Sequence, residues 1–182
     1  MSSLTIAQQC APTLAGLKAG SLFSVHDEKN TVERAVKELD AALSKKGVRA
    51  VLLHRNCRDV NLVYLYRERD LDAILSDREI QSFLSEYGYT NFSIQPCLDK
   101  LSERLNHESF PHDVGVFLDY PLADIREFIA NRGMNCPCTG CWKAYTNIHE
   151  AQRKFRKFKR CTALYCRWAD AGKDLAQLTR AC

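Results

Sequence analysis

The chain has 182 residues, 46% of them hydrophobic and 26% charged, with a formal net charge of +4. That balance predicts one globular domain over residues 1–182, and no run approaches the ~18 consecutive apolar residues of a membrane span. The charge is too mild to mark a dedicated nucleic-acid binder, and MSSLTIAQQCAP lacks the basic start and apolar run of a secretory signal. A soluble, cytoplasmic protein is expected.

Taken in order, residues 4–20 hold a short apolar segment broken by Pro12, Gly16 and Gly20. Pro12 suits the first turn of a short helix and Gly20 its stop. Ser21–Val25 reads as a strand. Asn30-x-x-Glu33 reads as a capping box opening a helix with Val32, Val36, Leu39 and Leu43 on one face, ended by Gly47. RAVLLHR (49–55) and NLVYLYR (61–67) are β-rich runs that pair as a hairpin across the polar break Asn56–Asp59. Helical patterns follow at 69–75, at 77–87 behind a capping box Ser76-x-x-Glu79, and near 94–106 with Leu98, Leu101 and Leu105. Pro121 opens a helix closed by Gly133, 141–147 reads as a strand, and Asn147-x-x-Glu150 caps a long helix to about 170. The expected fold is therefore α+β. A small mixed or antiparallel sheet of about four strands (21–25, 49–55, 61–67, 141–147) lies under about five or six helices.

The phrases CAPTLAGLKAGSLFS (10–24), LVYLYR (62–67), FPHDVGVFLDYPLADIREFI (110–129) and CWKAY (141–145) resemble the bacterial domain-of-unknown-function family 3793 along nearly the whole chain. Members typically have histidine before the motif cysteine, where this chain has Gln9. They have glutamate after the motif histidine, where it has Asp113, and glycine where it has Asp119. The resemblance implies a small cytoplasmic protein, common in anaerobes, with genes near those for flavodoxins or iron uptake, and hence a redox or iron-metabolism partner. It implies no activity.

Nine cysteines, an odd number without a secretory signal, point to reduced thiols. One candidate site pairs Cys10, read as lying just ahead of a Pro-initiated helix whose dipole favours a thiolate, with His112 as base and Asp113 or Asp119 orienting it. Gln8 or Gln9 would donate to an oxyanion. The plainer alternative makes Cys10 a packing residue. Lys18 and Arg67 could supply an anion pocket, and Trp142 and Lys143 a ligand contact. A second candidate is CPCTGC, with Cys136, Cys138 and Cys141 joined by Cys161, Cys166 or His149 around zinc or an iron–sulfur cluster. Cys138 and Cys141 could instead form a redox pair. No glycine-rich phosphate loop announces a nucleotide cofactor.

Two further segments bear on partners. The basic helix 150–168 has Lys or Arg at six of the eight positions from 153 to 160, which suits a nucleic acid or an acidic partner as well as a solvated face. Residues 111–132 can be read as helix–turn–helix, although Asp124 and Glu127 on its second helix would repel phosphates. Function thus divides between thiol-centred redox or iron-related chemistry at Cys10 and His112, a zinc or iron–sulfur site, and a non-enzymatic binding or regulatory module.

Overall fold

The computed structural model describes residues 1–53, 60–106 and 110–181. Its centre is NLVYLYR, which forms strand β3 (Asn61–Arg67) between β1 (Gly20–Val25) and β2 (Val48–Leu53), both antiparallel to it. Strand alternation sends Leu62, Tyr64 and Tyr66 into one core and Val63 and Leu65 into another. A strand apolar on both sides needs cover on both, so helices occupy both faces of the sheet.

On one face lie α1 (Ser3–Leu14), α2 (Lys29–Leu43), α8 (Ile148–Asp170) and the short α9 (Leu175–Leu178), where Ile6, Cys10, Leu14, Val36, Leu43 and Tyr165 pack with Phe23, Val63 and Leu65. On the other lie α3 (Glu68–Leu75), α4 (Arg78–Ser85), α5 (Ile94–Leu105), α6 (Val114–Phe117) and α7 (Leu122–Ala130), contributing Leu71, Leu84, Leu98, Phe117 and Ile125. Isolated helices of this length are marginal in water, whereas each fully buried Leu or Phe contributes about 1.5–3 kcal/mol. Burial against the sheet therefore holds them. None of the helices among the described residues is long and apolar enough to cross a membrane.

The chain is α+β with an antiparallel sheet, and the hairpin expected of 49–55 and 61–67 is the β2–β3 pair, with β3 central. Residues 54–59, which hold the end of the expected first strand, the polar break Asn56–Asp59 and Cys57, lie outside the described residues, as does Cys182. The strand expected at 141–147 does not join the sheet. Instead β5 (Lys143–Ala144) pairs with β4 (Cys138–Thr139) in a separate ribbon, which packs on α8 through Trp142, Ala144, Ala151 and Phe158.

Several helix ends also differ from expectation. α1 starts at Ser2, whose hydroxyl accepts from the Thr5 N–H, so Pro12 sits in the last turn rather than the first. Its stop is Gly16, at φ 70°, where the Leu17 N–H reaches back to the Pro12 carbonyl at 2.8 Å. α4 is capped by Asp77, which accepts from the N–H groups of Glu79 and Ile80, while Ser76 ends α3. α2 begins at Lys29, so Asn30 is already inside it. Asn147 precedes α8 at φ 44° without a side-chain cap. A cap residue ordinarily needs extended backbone to aim its oxygen at the helix N–H groups, and left-handed backbone withholds it.

Candidate functional site

Two sequence-distant segments meet beside α8. After Gly16 turns the chain out of α1, Lys18 and Ala19 lead into β1, and the Ala19 N–H donates to Asp119 Oδ2 at 3.1 Å. Asp119 ends α6 at φ 57°, in the left-handed region that favours glycine, and the Tyr120 N–H closes the turn on the Gly115 carbonyl at 3.0 Å. The glycine that the family resemblance expects there fits this backbone. At Gly20 any Cβ would collide with the Phe117 carbonyl and the Tyr64 hydroxyl. α6 is thus held hard against the start of β1, and Lys18 faces Tyr120.

The ribbon is fixed to α7 by one carboxylate. Asp124, 2% exposed, accepts from Trp142 Nε1 (2.8 Å), the N–H groups of Tyr145 (2.9 Å) and Thr146 (2.7 Å), and the Thr146 hydroxyl (2.8 Å). A buried carboxylate is costly unless so satisfied. Trp142 is then stacked on Tyr120 at 5.3 Å and meets Phe155 of α8 edge-on at 4.5 Å. A Cβ on Gly140 would enter the Phe155 ring, so the ribbon turn can approach α8 only as glycine.

This Tyr120–Trp142 stack divides the surface into cavities. On one side an apolar cavity of about 320 Å³ lies between α6, α7 and the ribbon, lined by Val114, Leu118, Ile125 and Phe128 with His112, Cys141 and Lys143 among its polar groups. On the other is a polar cavity of about 280 Å³ with Asp119, Glu150 and Lys154. A third, of about 570 Å³, opens between α1 and α8 and is lined by Gln8, Gln9, Lys18, Cys141, Phe155 and Lys159. Cys141 belongs to both the apolar cavity and the Lys18 cavity. The volumes suit small-molecule sites, which run ~300–1,000 Å³.

Lys18 is the unusual group. Among the described residues its ammonium has neither hydrogen bond nor ion pair; its neighbour is the Tyr120 ring, 5.3 Å away at the centroid. Burial pushes its pKa down, and Cys141, Asp119 and Cys10 pull in the opposite sense. Burial likewise lifts the Cys141 thiol above its ordinary value, with Lys18 drawing it back. Asp119 is raised by burial against the Ala19 N–H and the charges of Lys154 and Lys18. Each of these groups has its charged form disfavoured by the protein around it.

The expected thiol site does not assemble around Cys10. That residue is fully buried within α1, not ahead of a helix, and burial pushes its thiol up to about 12. The helix-dipole argument for a thiolate therefore fails at Cys10. His112 lies instead on the rim of the apolar cavity, 5.2 Å from Phe128. Asp113 does not orient it: its carboxylate is fully buried, takes both Nε and Nη2 of Arg104 at 2.9 Å and accepts from the Tyr89 hydroxyl at 2.7 Å. Arg67 is likewise consumed, by Asp70 at 3.0 Å and by the carbonyls of Thr13 and Arg180. Lys143 lines the apolar cavity with its ammonium on the Gly133 carbonyl at 2.6 Å.

The cysteines considered for a metal do not converge. Cys136 donates to the Cys138 carbonyl at 2.9 Å, Cys141 faces Lys18, and Cys161 donates to the Ala11 carbonyl of α1 at 3.5 Å. Among the described residues no three His, Cys, Asp or Glu side chains converge as metal ligands. In the 111–132 segment α6 is a single turn, and Asp124 faces inward to the ribbon.

Of the expected site residues, Lys18, His112, Cys141, Trp142 and Lys143 fall in this one region. Tyr120, Asp124 and Phe155 complete it and were not singled out for it. The weak signals for them were an aromatic directly before Pro121 and an acidic residue in the α7 first turn, neither of which identifies its partner.

The model of the family described as Protein of unknown function (DUF3793) matches residues 6–179. No curated protein and no solved structure matches the chain.

Proposed function

The chain belongs to the DUF3793 family, and on that footing we propose that it binds a small organic anion with an apolar body, the ammonium of Lys18 taking the charge and the cavity beside His112 and Trp142 taking the body. Cys141, which borders both spaces, presents its thiol to the bound molecule. The thiol role expected of Cys10 passes in this reading to Cys141, which shares a cavity with His112.

The observation that carries the proposal is the half-buried ammonium of Lys18, which has neither hydrogen bond nor ion pair among the described residues. A cation partly withdrawn from water without a bonded counter-charge lowers stability, and a ligand carboxylate or sulfonate would restore what burial removed. The apolar cavity adds the non-directional part of the affinity, with Phe128 and Trp142 in its lining to suit an aromatic body.

The chain has two tryptophans, Trp142 and Trp168, so the Trp168→Phe protein reports on the site alone. Titrated with 8-anilinonaphthalene-1-sulfonate, it should show saturable quenching of Trp142 at one probe per chain. Ile125→Phe, which narrows the apolar cavity without adding a tryptophan, should weaken the effect at least tenfold while leaving the circular dichroism unchanged. Linear, unsaturable quenching, or quenching equal in the narrowed variant, would overturn the proposal.

A further inference from the structure

The positive charge of this protein is concentrated in one element. α8 carries seven Lys and Arg residues against Glu150 and Asp170, a net +5, while the whole chain is +4, so the remainder is −1. Six of the seven are exposed, and apart from Lys159, which lines the cavity between α1 and α8, they are Arg153, Arg156, Lys157, Arg160 and Arg167. At 3.6 residues per turn these five fall within an arc of about 100° and form a stripe about 21 Å long. Ala151, Phe158 and Tyr165, on the opposite side, are buried. Glu150 stands 3.9 Å from Arg153 and Lys154; no ion pair among the described residues engages Arg156, Lys157, Arg160 or Arg167.

Like charges three and four residues apart weaken a helix. Here Arg153 with Lys157 and Arg156 with Arg160 repeat that arrangement, and among the described residues only Glu150, 3.9 Å from Arg153, offsets any of it. The partner that would offset it is a polyanion, and the rest of the surface narrows its kind. Among the described residues the exposed large hydrophobics are Met1, Phe110 and Met134, none on α8, and the arc itself holds one large apolar residue, the half-buried Leu164. An ordinary protein partner needs aromatic or aliphatic anchors at the centre of the interface. A membrane surface needs an apolar face to insert. A row of phosphates needs only cations along a line.

We propose that the exposed face of α8 binds the phosphate backbone of double-stranded nucleic acid without reading its sequence. The stripe would follow one edge of a groove, and its cations would displace condensed counterions. This interface is independent of the anion pocket, which lies at the other side of α8 around Phe155.

The test is fluorescence anisotropy of the full chain with a fluorescein-labelled 20-base-pair DNA duplex from 50 to 250 mM NaCl. Binding should weaken with salt at a log–log slope of about −3 to −4, close to 0.9 per phosphate neutralised. The quadruple variant Arg153→Gln, Arg156→Gln, Lys157→Gln, Arg160→Gln changes exposed positions only. It should unfold at or above the wild-type midpoint yet bind at least tenfold more weakly at 50 mM salt, with a shallower slope. A shuffled duplex should bind equally well. Lys18→Met should leave duplex binding unchanged, which separates this interface from the pocket. No binding at 50 mM salt, equal binding by the quadruple variant, or tenfold preference for one sequence would each overturn the proposal. Phosphatidylglycerol vesicles binding more tightly than the duplex would overturn it in favour of a membrane.

Discussion

The ammonium of Lys18 lies 5.3 Å from the centre of the Tyr120 ring, whose hydroxyl donates to the Cys141 carbonyl at 3.0 Å. One aromatic side chain thus sets both the cation and the thiol-bearing turn. A cation over a ring is stabilised by roughly 0.5–2 kcal/mol, more as it loses water. Asp119 and Cys141 act on Lys18 through space without bonding to it, so its N–H groups have no protein acceptor among the described residues.

The first prediction concerns the thiols. The thiolate is the reactive form, and burial holds Cys141 above its ordinary pKa of 9.0 while Lys18 pulls it down. Alkylation of Cys141 by iodoacetamide should be slow at pH 7 and rise about tenfold per pH unit into the alkaline range. In Lys18→Met the profile should move to higher pH. Cys10, buried and pushed up to about 12, should stay unmodified until the protein unfolds. Peptide mass spectrometry distinguishes the sites; a Cys141 profile unmoved or shifted downward in Lys18→Met contradicts the assigned electrostatics.

Asp124 should be the most sensitive residue of the site for stability. Asp124→Ala leaves the Trp142 indole, two backbone N–H groups and the Thr146 hydroxyl without their acceptor. A loss of about 3 kcal/mol or more is expected in urea unfolding, with the Trp142 emission shifting to the red as the ribbon loosens. A loss under about 1 kcal/mol with unchanged emission would show that the ribbon is held by other means.

Gly140 and Phe155 should be energetically coupled. A methyl at 140 must displace the Phe155 ring, so Gly140→Ala should cost about 1–3 kcal/mol. Shrinking the ring in Gly140→Ala/Phe155→Leu should recover part of that loss. Simple addition of the two single effects in a double-mutant cycle would mean that the close approach is not limiting.

Asp119 supplies a pH test. Its folded pKa lies above the ordinary 3.8 because burial disfavours the carboxylate. Once the pH exceeds the unfolded value, ionisation favours the unfolded chain, and the penalty grows until the folded group also ionises, then stays constant. Asp119→Asn keeps an acceptor for the Ala19 N–H, and asparagine tolerates the φ of 57°. The variant should match wild type below pH 3.8, gain on it as pH rises from there, and remain the more stable at pH 7. Equal stability at pH 3 and pH 7 would contradict the assignment.

Much of the fold was legible because its signals are local. The apolar run 61–67 and the leucines of 94–106 state their own burial, and the family phrases span nearly the whole chain. The bounds of α1 are masked in the sequence because Pro12 and Gly20 resemble helix ends, while the stripe Ile6, Cys10 and Leu14, with Ser2 as cap, sets the true ones. The thiolate expected at Cys10 depends on a helix starting after it, so it goes with those false bounds. The ribbon is illegible for a different reason. Its attachment rests on Asp124, Trp142 and Phe155, which are far apart in sequence and joined only by tertiary packing. His112, Lys18 and Cys141 were each noticeable as residue types, but nothing local could place them around one pair of cavities.

Anion selection by Lys18 can be read most directly from calorimetric titrations of the wild-type and Lys18→Met proteins with 1-naphthoate and the uncharged 1-naphthamide. Wild type should prefer the naphthoate at least tenfold, and Lys18→Met should lose this preference while still binding the amide. Equal affinity for the two compounds in wild type, or a preference that survives Lys18→Met, would contradict anion selection by Lys18.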